Sequence, residues 1–408
     1  MSEFQAALFC SGGGTRMSSL TDGTQKCLLP IVGEPMFMYP LLSLLRAGVN
    51  DIKIFVRDAI KETLKDEVET RDLLNKYRST AQIDYITVSA NQEDYGTGDL
   101  LRHHHSKFTK KVLVVSGDFV SDASLIPFLD EFRANDANFM AFVDDNYVKA
   151  PAPGPKTKKK NGTDMIGFEP TTGRLAYLCS EEDLDGAVNM EKISNKFPNV
   201  TLTSAFNDCH VYALRQDAFQ LICKNKASPL SFKADFVPFL IEQQYEEDSK
   251  MKCYIYRLPH ENGAVTAHIN TIGAYFEGNK AILKSFNRIM TNKGPGKVLN
   301  YRVDKIAIHD SRVEESSVIG RESVIKRTVI LEGCKIGEKT KLKESVILNY
   351  VTIGNGATIT NSIICQNAEI GENAEVTNCI VTRGQKVAAK SKVSNETVQD
   401  DEEWEDDE

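Results

Sequence analysis

Two consecutive stretches decide the fold of the C-terminal part of this chain: IGEKTKLKESVILNYVT (residues 336–352) and IGNGATITNSIICQNAE (residues 353–369). Each is 17 residues long, and laid over one another they match at Ile336 and Ile353, Gly337 and Gly354, Leu342 and Ile359, and Ile347 and Ile364. The period continues in both directions. Ile319, Ile336, Ile353, Ile370 and Val387 form one register, Ile308, Ile325, Leu342, Ile359 and Val376 a second, and Val313, Ile330, Ile347, Ile364 and Val381 a third. Within one period the apolar positions lie six, six and five residues apart. Three short flat sides per turn, each with one inward aliphatic, give coils that stack at the strand spacing of about 4.8 Å. The segment from about Ile308 to Val387 therefore reads as a parallel β-helix of the left-handed type. A sandwich of alternating strands would not hold three registers over four or five turns. Gly320, Gly337, Gly354 and Gly371 follow the first aliphatic of a coil, where a tight corner favours a residue tolerant of unusual φ. Ser323, Thr340, Ala357 and Ala374 stand four residues after that aliphatic, small enough to fit near a corner.

The N-terminal part has a different rhythm. Ala6–Phe9, Ile52–Val56, Ile83–Val88 and Val112–Ser116 read as strands. Met38–Arg46, Glu62–Tyr77 and Leu100–Lys107 read as helices between them. Such alternation implies a Rossmann-type, mostly parallel sheet covered by helices. Ligands of such sheets bind beyond the carboxyl ends of the strands. Two elements follow strands directly and belong at that edge: the glycine turn Gly12-Gly13-Gly14, and Asp118. Mixed strand and helix continue from Met165 to about Phe276, and Glu277–Thr291 reads as a helix bridging to the β-helix. The expected division is an α/β domain over 1–290, a β-helix over 300–390 and a disordered acidic tail over 391–408.

At 408 residues the chain is long enough for two or three domains. Its formal charge of −8 comes from the end: Asp400–Glu408 holds eight carboxylates around Trp404, and without them 49 acidic groups face 49 basic ones. A balanced body gives no support for nonspecific nucleic-acid binding. The tail reads as a solvated run, with docking to a basic partner as its sharper reading. Pro151–Gly162, with three prolines and four lysines, reads as a mobile surface insertion. The nine cysteines show no zinc-like spacing and read as free thiols of a reducing compartment. No signal peptide or membrane-length apolar run is recognisable, so a cytosolic location is expected. His103-His104-His105 are consecutive and splay around a helix, which excludes a shared metal.

Glycines at a strand-to-helix turn let backbone N–H groups approach phosphate oxygens, and a helix N-terminus adds partial positive charge. Thr15, Arg16 and, ten residues later, Lys26 would complete a phosphate cradle. The run fits neither GxGxxG nor the P-loop pattern. Asp118 has two readings, a ligand for a divalent ion on phosphates or an ordinary turn residue.

Gly12-Gly13-Gly14-Thr15-Arg16 with Leu20-Thr21 and Lys26-Cys27-Leu28-Leu29-Pro30 resembles the signature of sugar-phosphate nucleotidyltransferases. The resemblance implies that Gly12, Gly13, Gly14, Thr15, Arg16 and Lys26 line a nucleotide pocket. It also implies that Gly96, in Gly96-Thr97-Gly98, lies near the base, and that Asp118 matches a metal-binding Asp. A β-helix after such a domain is that family's arrangement. The departures matter more. Ser19 and Gln25 stand where active members have prolines. The segment bearing the second metal carboxylate is matched by His268-Ile269-Asn270-Thr271-Ile272-Gly273, so Asn270 replaces the acid. The Glu-Lys-Pro sugar-phosphate element is matched only by Glu191-Lys192-Ile193. The pocket reads as vestigial, with no catalytic residue, metal or cofactor expected. Lys26–Pro40, Gly96–Arg102, Val115–Asp122, the lysine-rich insertion leading to Asp164–Phe168, Asn207–Tyr212, Ser231–Leu240 and Asn270–Lys280 resemble the gamma-subunit family of eukaryotic translation initiation factor 2B. That resemblance implies a non-catalytic subunit of the guanine nucleotide exchange factor for initiation factor 2. Its partners would be the epsilon subunit, the other subunits of factor 2B, and initiation factor 2. In the family, exchange belongs to epsilon through a C-terminal helical domain, for which this chain leaves no room after its β-helix. An active sugar-phosphate nucleotidyltransferase, or a pseudoenzyme that senses a nucleotide or sugar nucleotide through the retained turn, are the alternatives.

Overall fold

The computed structural model describes residues 3–89, 95–145, 152–155, 163–180, 190–227, 230–259, 264–289, 298–303 and 305–399. The chain divides into two compact units, one of Met1–Gly12, Phe37–Tyr147 and Lys159–His268, the other of Gly13–Met36, Val148–Lys158 and Ile269–Glu408.

The first unit is built on strands that are apolar on both faces. FQAALF (Phe4–Phe9) and FMAFVD (Phe139–Asp144) are buried at every position, which fits interior strands of a sheet covered on both sides. Seven strands lie side by side in the order Cys253–Arg257, Phe139–Asp144, Asn207–Leu214, Lys111–Ser116, Phe4–Phe9, Asp51–Arg57 and Gln82–Val88. Neighbours run parallel except at Asn207–Leu214, which is antiparallel to both of its neighbours. That strand is bulged between Asp208 and Tyr212, and His210 sits in the bulge at φ 54°. A helix over Ile126–Ala134 packs through Phe128 and Phe132 onto Phe142 and Phe4, with ring centroids 5.5 and 5.9 Å apart.

Two helices differ from their sequence-based limits. The charged helix expected over Glu62–Tyr77 spans Lys61–Thr70; Arg71 is extended and a 3-10 segment, Asp72–Tyr77, follows. The helix expected over Leu100–Lys107 runs Thr97–His103, because Asp99 caps it: its Oδ2 accepts from the Gly96 N–H at 3.1 Å. A separate 3-10 turn, His105–Lys107, closes the segment.

The second unit is dominated by the left-handed β-helix, whose strands extend past the expected limit to Thr397–Val398. The parallel registers are 17 residues apart throughout, as Ile308↔Ile325, Ile325↔Leu342, Leu342↔Ile359 and Ile359↔Val376 show. The inward aliphatics form one core, with Ile308, Ile325, Ile330, Ile347, Ile359, Ile364, Val376 and Val381 fully buried. Each contributes about 1.5–3 kcal/mol of apolar burial. Strand Val298–Val303 pairs antiparallel with Ile306–Val313 at the first coil.

The corner glycines are there for another reason than the expected one. Gly320, Gly337, Gly354 and Gly371 have no positive φ. A Cβ on any of them would meet the backbone of the next coil at 2.4–2.6 Å. Glycine is required by the close approach of stacked coils. The left-handed corner residues are instead Glu322, Lys339, Gly356 and Asn373, two positions further on. Ser323, Thr340, Ala357 and Ala374 are fully buried at that corner, as their size implies.

One side of the prism is apolar outside as well as inside. The outward positions Val329, Val346, Ile363 and Ile380 are buried, together with Leu331, Leu348 and Cys365. Other parts of the same unit lie here: Cys365 Sγ is 3.8 Å from the Ser19 carbonyl, and the Gly154 N–H donates to Asn378 O at 2.8 Å. Pro153 and Gly154 are buried, so this piece of the insertion is held rather than mobile. Its lysines lie outside the described residues, as does the tail beyond Gln399. The bridging helix begins earlier than expected, at Ile272, and runs to Ile289. It carries the hairpin Pro30–Pro35: Tyr275 OH donates to Pro30 O at 2.7 Å, and Asn279 Oδ1 accepts from the Val32 N–H at 2.8 Å. At the first coil Arg312, 2% exposed, donates to Glu314 Oε1 at 2.6 Å, lies 4.0 Å from Glu34 and stacks over Phe286 at 4.5 Å.

Candidate functional site

The residues selected from sequence fall into both units, and the geometry within each is as follows. In the first unit Gly12 is exposed beyond strand Phe4–Phe9, with open space where a Cβ would point. Gly96 has a packing role: a Cβ there would meet the Leu230 carbonyl at 2.1 Å. Asp99 Oδ2 also accepts from the Leu230 N–H at 2.6 Å, and Thr97 Oγ1 from the Phe232 N–H at 3.2 Å. The Gly-Thr-Gly element is thus clamped onto 230–232.

Asp118 is buried, and its Oδ1 lies 3.1 Å from His268 Nε2. Sequence reading missed what surrounds it. His268 stacks on His210 with ring centroids 3.9 Å apart, and His210 Nε2 lies 3.3 Å from Lys233 Nζ. Lys233 pairs with Asp164 at 2.8 Å and approaches Asp208 at 3.8 Å. Asp208 bonds Tyr212 OH, and its own N–H donates to Asp164 Oδ2 at 2.9 Å. Burial pushes the Asp208 carboxyl above the usual range; the Lys233 charge opposes this and Asp164 reinforces it. Burial and the same carboxylates raise the Cys209 thiol and the Tyr212 phenol. The bulge at Asp208–Tyr212 aims His210 at His268, an effect that strand periodicity does not announce. The motif Asn-Asp-Cys-His-Val-Tyr was the available signal.

In the second unit Gly14 is left-handed at φ 73°, and a Cβ there would meet Thr21 at 2.9 Å and Lys26 at 3.0 Å. Gly13, Thr15 and Arg16 are exposed. The turn leads only into a 3-10 segment, Thr15–Met17, and one α turn, Ser18–Thr21. The helix dipole expected behind it is therefore small. Lys26 is 7% exposed, and its Nζ donates to Asn270 Oδ1 at 2.7 Å. The structure thus joins a phosphate-cradle lysine to the residue that replaces an acid. Among the described residues no group of three or more His, Cys, Asp or Glu is placed to hold a metal ion, and no helix is long and apolar enough to cross a membrane. His103 is exposed, and His104 packs half-buried against Phe55 at 5.8 Å.

The family model "Nucleotidyl transferase" matches residues 6–152, and the model "EIF2B subunit epsilon LbH domain" matches residues 301–398. Translation initiation factor eIF2B subunit gamma of Caenorhabditis elegans is 59% identical over 330 residues, covering 81% of this chain and 80% of that protein. The chain belongs to the eIF2B subunit gamma family. The subunit gamma of Schizosaccharomyces pombe is 26% identical over 69% of this chain. The subunit epsilon of the same yeast is 23% identical over 80% of this chain but only 46% of its own length. Similarity to an enzyme is local: glucose-1-phosphate thymidylyltransferase of Xanthomonas campestris is 41% identical over 54 residues, 13% of this chain. As an eIF2B gamma family member, the chain is a translation initiation factor subunit that joins a nucleotidyltransferase-like sheet to a left-handed β-helix.

Proposed function

We propose that the chain is a non-catalytic subunit of the guanine nucleotide exchange factor for initiation factor 2. It pairs with the epsilon subunit, assembles with the other eIF2B subunits in the cytosol, and engages initiation factor 2 as part of that assembly. The observation that carries the non-catalytic reading is the bond from Lys26 Nζ to Asn270 Oδ1. An active nucleotidyltransferase uses a carboxylate in the Asn270 segment to hold Mg²⁺ and a free lysine to hold phosphate. Here the amide oxygen accepts from an ammonium group, and a second cation at that oxygen would be repelled. Asp118 faces His268 at 3.1 Å. These residues do not fit a divalent cation, which requires several oxygen ligands, so no nucleotidyl-transfer step is assigned.

Gly12, Gly96 and Asp118 in the first unit, and Gly13, Gly14, Thr15, Arg16 and Lys26 in the second, are retained for folding rather than for binding a nucleotide. Gly96 and Gly14 support this, since each is fixed by close packing whatever it once bound. The test incubates the full chain with Mg²⁺, sugar 1-phosphates and nucleoside triphosphates and follows pyrophosphate. Background release is expected; steady turnover would overturn the reading.

A further inference from the structure

One side of the β-helix is formed by Val324–Lys326, Lys341–Lys343, Thr358–Thr360, Glu375–Thr377 and Lys392–Ser394. Alternate side chains point outward, and registered neighbours lie about 4.8 Å apart. Wherever a registered pair is doubly charged, the choice of charges is informative. Glu369 meets Lys386 and Glu375 meets Lys392, each ion-paired at 3.0 Å. The third such pair is Lys326 with Lys343, like charges in direct register. Lys341 stands two residues from Lys343 on the same strand, and His309 precedes Lys326 in register. All three lysines are exposed, and none is ion-paired among the described residues. Like charges placed opposite one another destabilise a sheet. The cluster becomes favourable with an anionic occupant.

The sequence supplies one. Residues 400–408 lie outside the described residues and enter only by composition, with eight carboxylates in nine positions. Their counterpart is a lysine cluster on a body that is neutral as a whole. We propose that the segment Asp400–Glu408 docks on the Lys326, Lys341 and Lys343 face of its own β-helix. Lys343 lies three coils from the last strand of this face, about 14 Å, and Lys326 four coils, about 19 Å. Nine extended residues span about 30 Å, enough to reach across the prism and along it. A nucleic-acid occupant is disfavoured, because the outward positions of this side carry no Phe, Tyr or Trp on which bases could stack. The contact is electrostatic and tethered, so its strength rests on effective concentration. It screens the lysines, and another acidic segment displaces it.

The test is zero-length carbodiimide cross-linking of the full chain at low salt, with linked peptides mapped by mass spectrometry. Links from 400–408 to Lys326, Lys341 or Lys343 are expected, within one molecule when isotope-labelled and unlabelled chains are mixed, and lost near about 0.5 M salt. In parallel, acetylation of these three lysines should be about threefold faster, or more, in a chain ending at Gln399. Links only to the lysines of 156–160, links between molecules, or unchanged acetylation rates would overturn the proposal.

Discussion

Lys26 and Asn270 are 244 positions apart in sequence, and their side chains are joined by a 2.7 Å hydrogen bond from Nζ to Oδ1. Lys26 is almost fully buried. An ammonium removed from water needs acceptors, and an amide satisfies that need without itself attracting a metal. The bond holds the signature segment and the start of the bridging helix together.

Replacing the acceptor exposes its worth. Asn270→Ala leaves a buried ammonium short of one acceptor and is expected to lower stability by about 1–3 kcal/mol. Asn270→Asp restores an acceptor of opposite charge and should be at least as stable as the parent chain. Urea midpoints of the two variants check this. On the non-catalytic reading, Asn270→Asp also gains no pyrophosphate release, because the Lys26 ammonium beside it would pair with the new carboxylate.

Arg312 is the second buried cation of the same unit. Arg312→Leu removes its bond to Glu314 and its stacking on Phe286. The expected loss is about 3 kcal/mol, since the carboxylates beside it remain. Arg312→Lys should recover only part of this, because a lysine cannot reproduce the planar stack. Chemical denaturation of the three proteins, followed by circular dichroism, gives the ranking.

Within the β-helix, inside and outside should behave oppositely. Ile359→Ala opens a cavity between stacked coils and should cost about 2–5 kcal/mol. Thr352→Lys and Glu369→Lys act at exposed positions and should each stay within about 1 kcal/mol. Gly337→Ala tests the close-approach account: its Cβ would lie 2.6 Å from Asn355 N, so it should destabilise despite an ordinary φ. Differential scanning calorimetry separates these outcomes.

The inward aliphatics of the coils were legible because a 17-residue period repeats the same local geometry, and the alternating strands because runs such as Val112–Val115 are apolar throughout. The covered outer column Val329, Val346, Ile363 and Ile380 carries the same period. After Val318 and Val324 of the first coil, Lys, Thr and Glu occupy the columns Lys335–Lys386 and Lys341–Lys392 on the other two sides, so the contrast was present in the sequence. What it packs against, near Ser19 and Gly154, is set by distant segments and could not be read locally. The network around Asp118 escaped for a similar reason. His210 owes its direction to a bulge, and His268 and Lys233 arrive from other elements. Asn270 was legible as a substitution, but its bond to Lys26 was not.

Acid should weaken one identifiable contact. Burial raises the Asp51 carboxyl, but hydrogen bonds from Lys53 and Gln5, the Lys53 charge and Lys110 outweigh it, and the group ends below its ordinary range. The unfolded chain therefore binds more protons than the folded one in this window, and stability rises with pH. The contribution is complete above the unfolded value of about 3.9 and is lost as pH falls through the lower folded value. Asp51→Asn should lose about 1–2 kcal/mol at pH 7, with the gap closing below about pH 4. Urea titrations at several pH values check the sign.

The central claim is that this chain works as a subunit of an exchange factor. Its most direct test is affinity purification of the tagged full chain from cells, with quantification of what co-purifies. The account predicts the epsilon subunit and the other eIF2B subunits in stoichiometric amounts. Recovery of the chain alone, as a monomer, would contradict it.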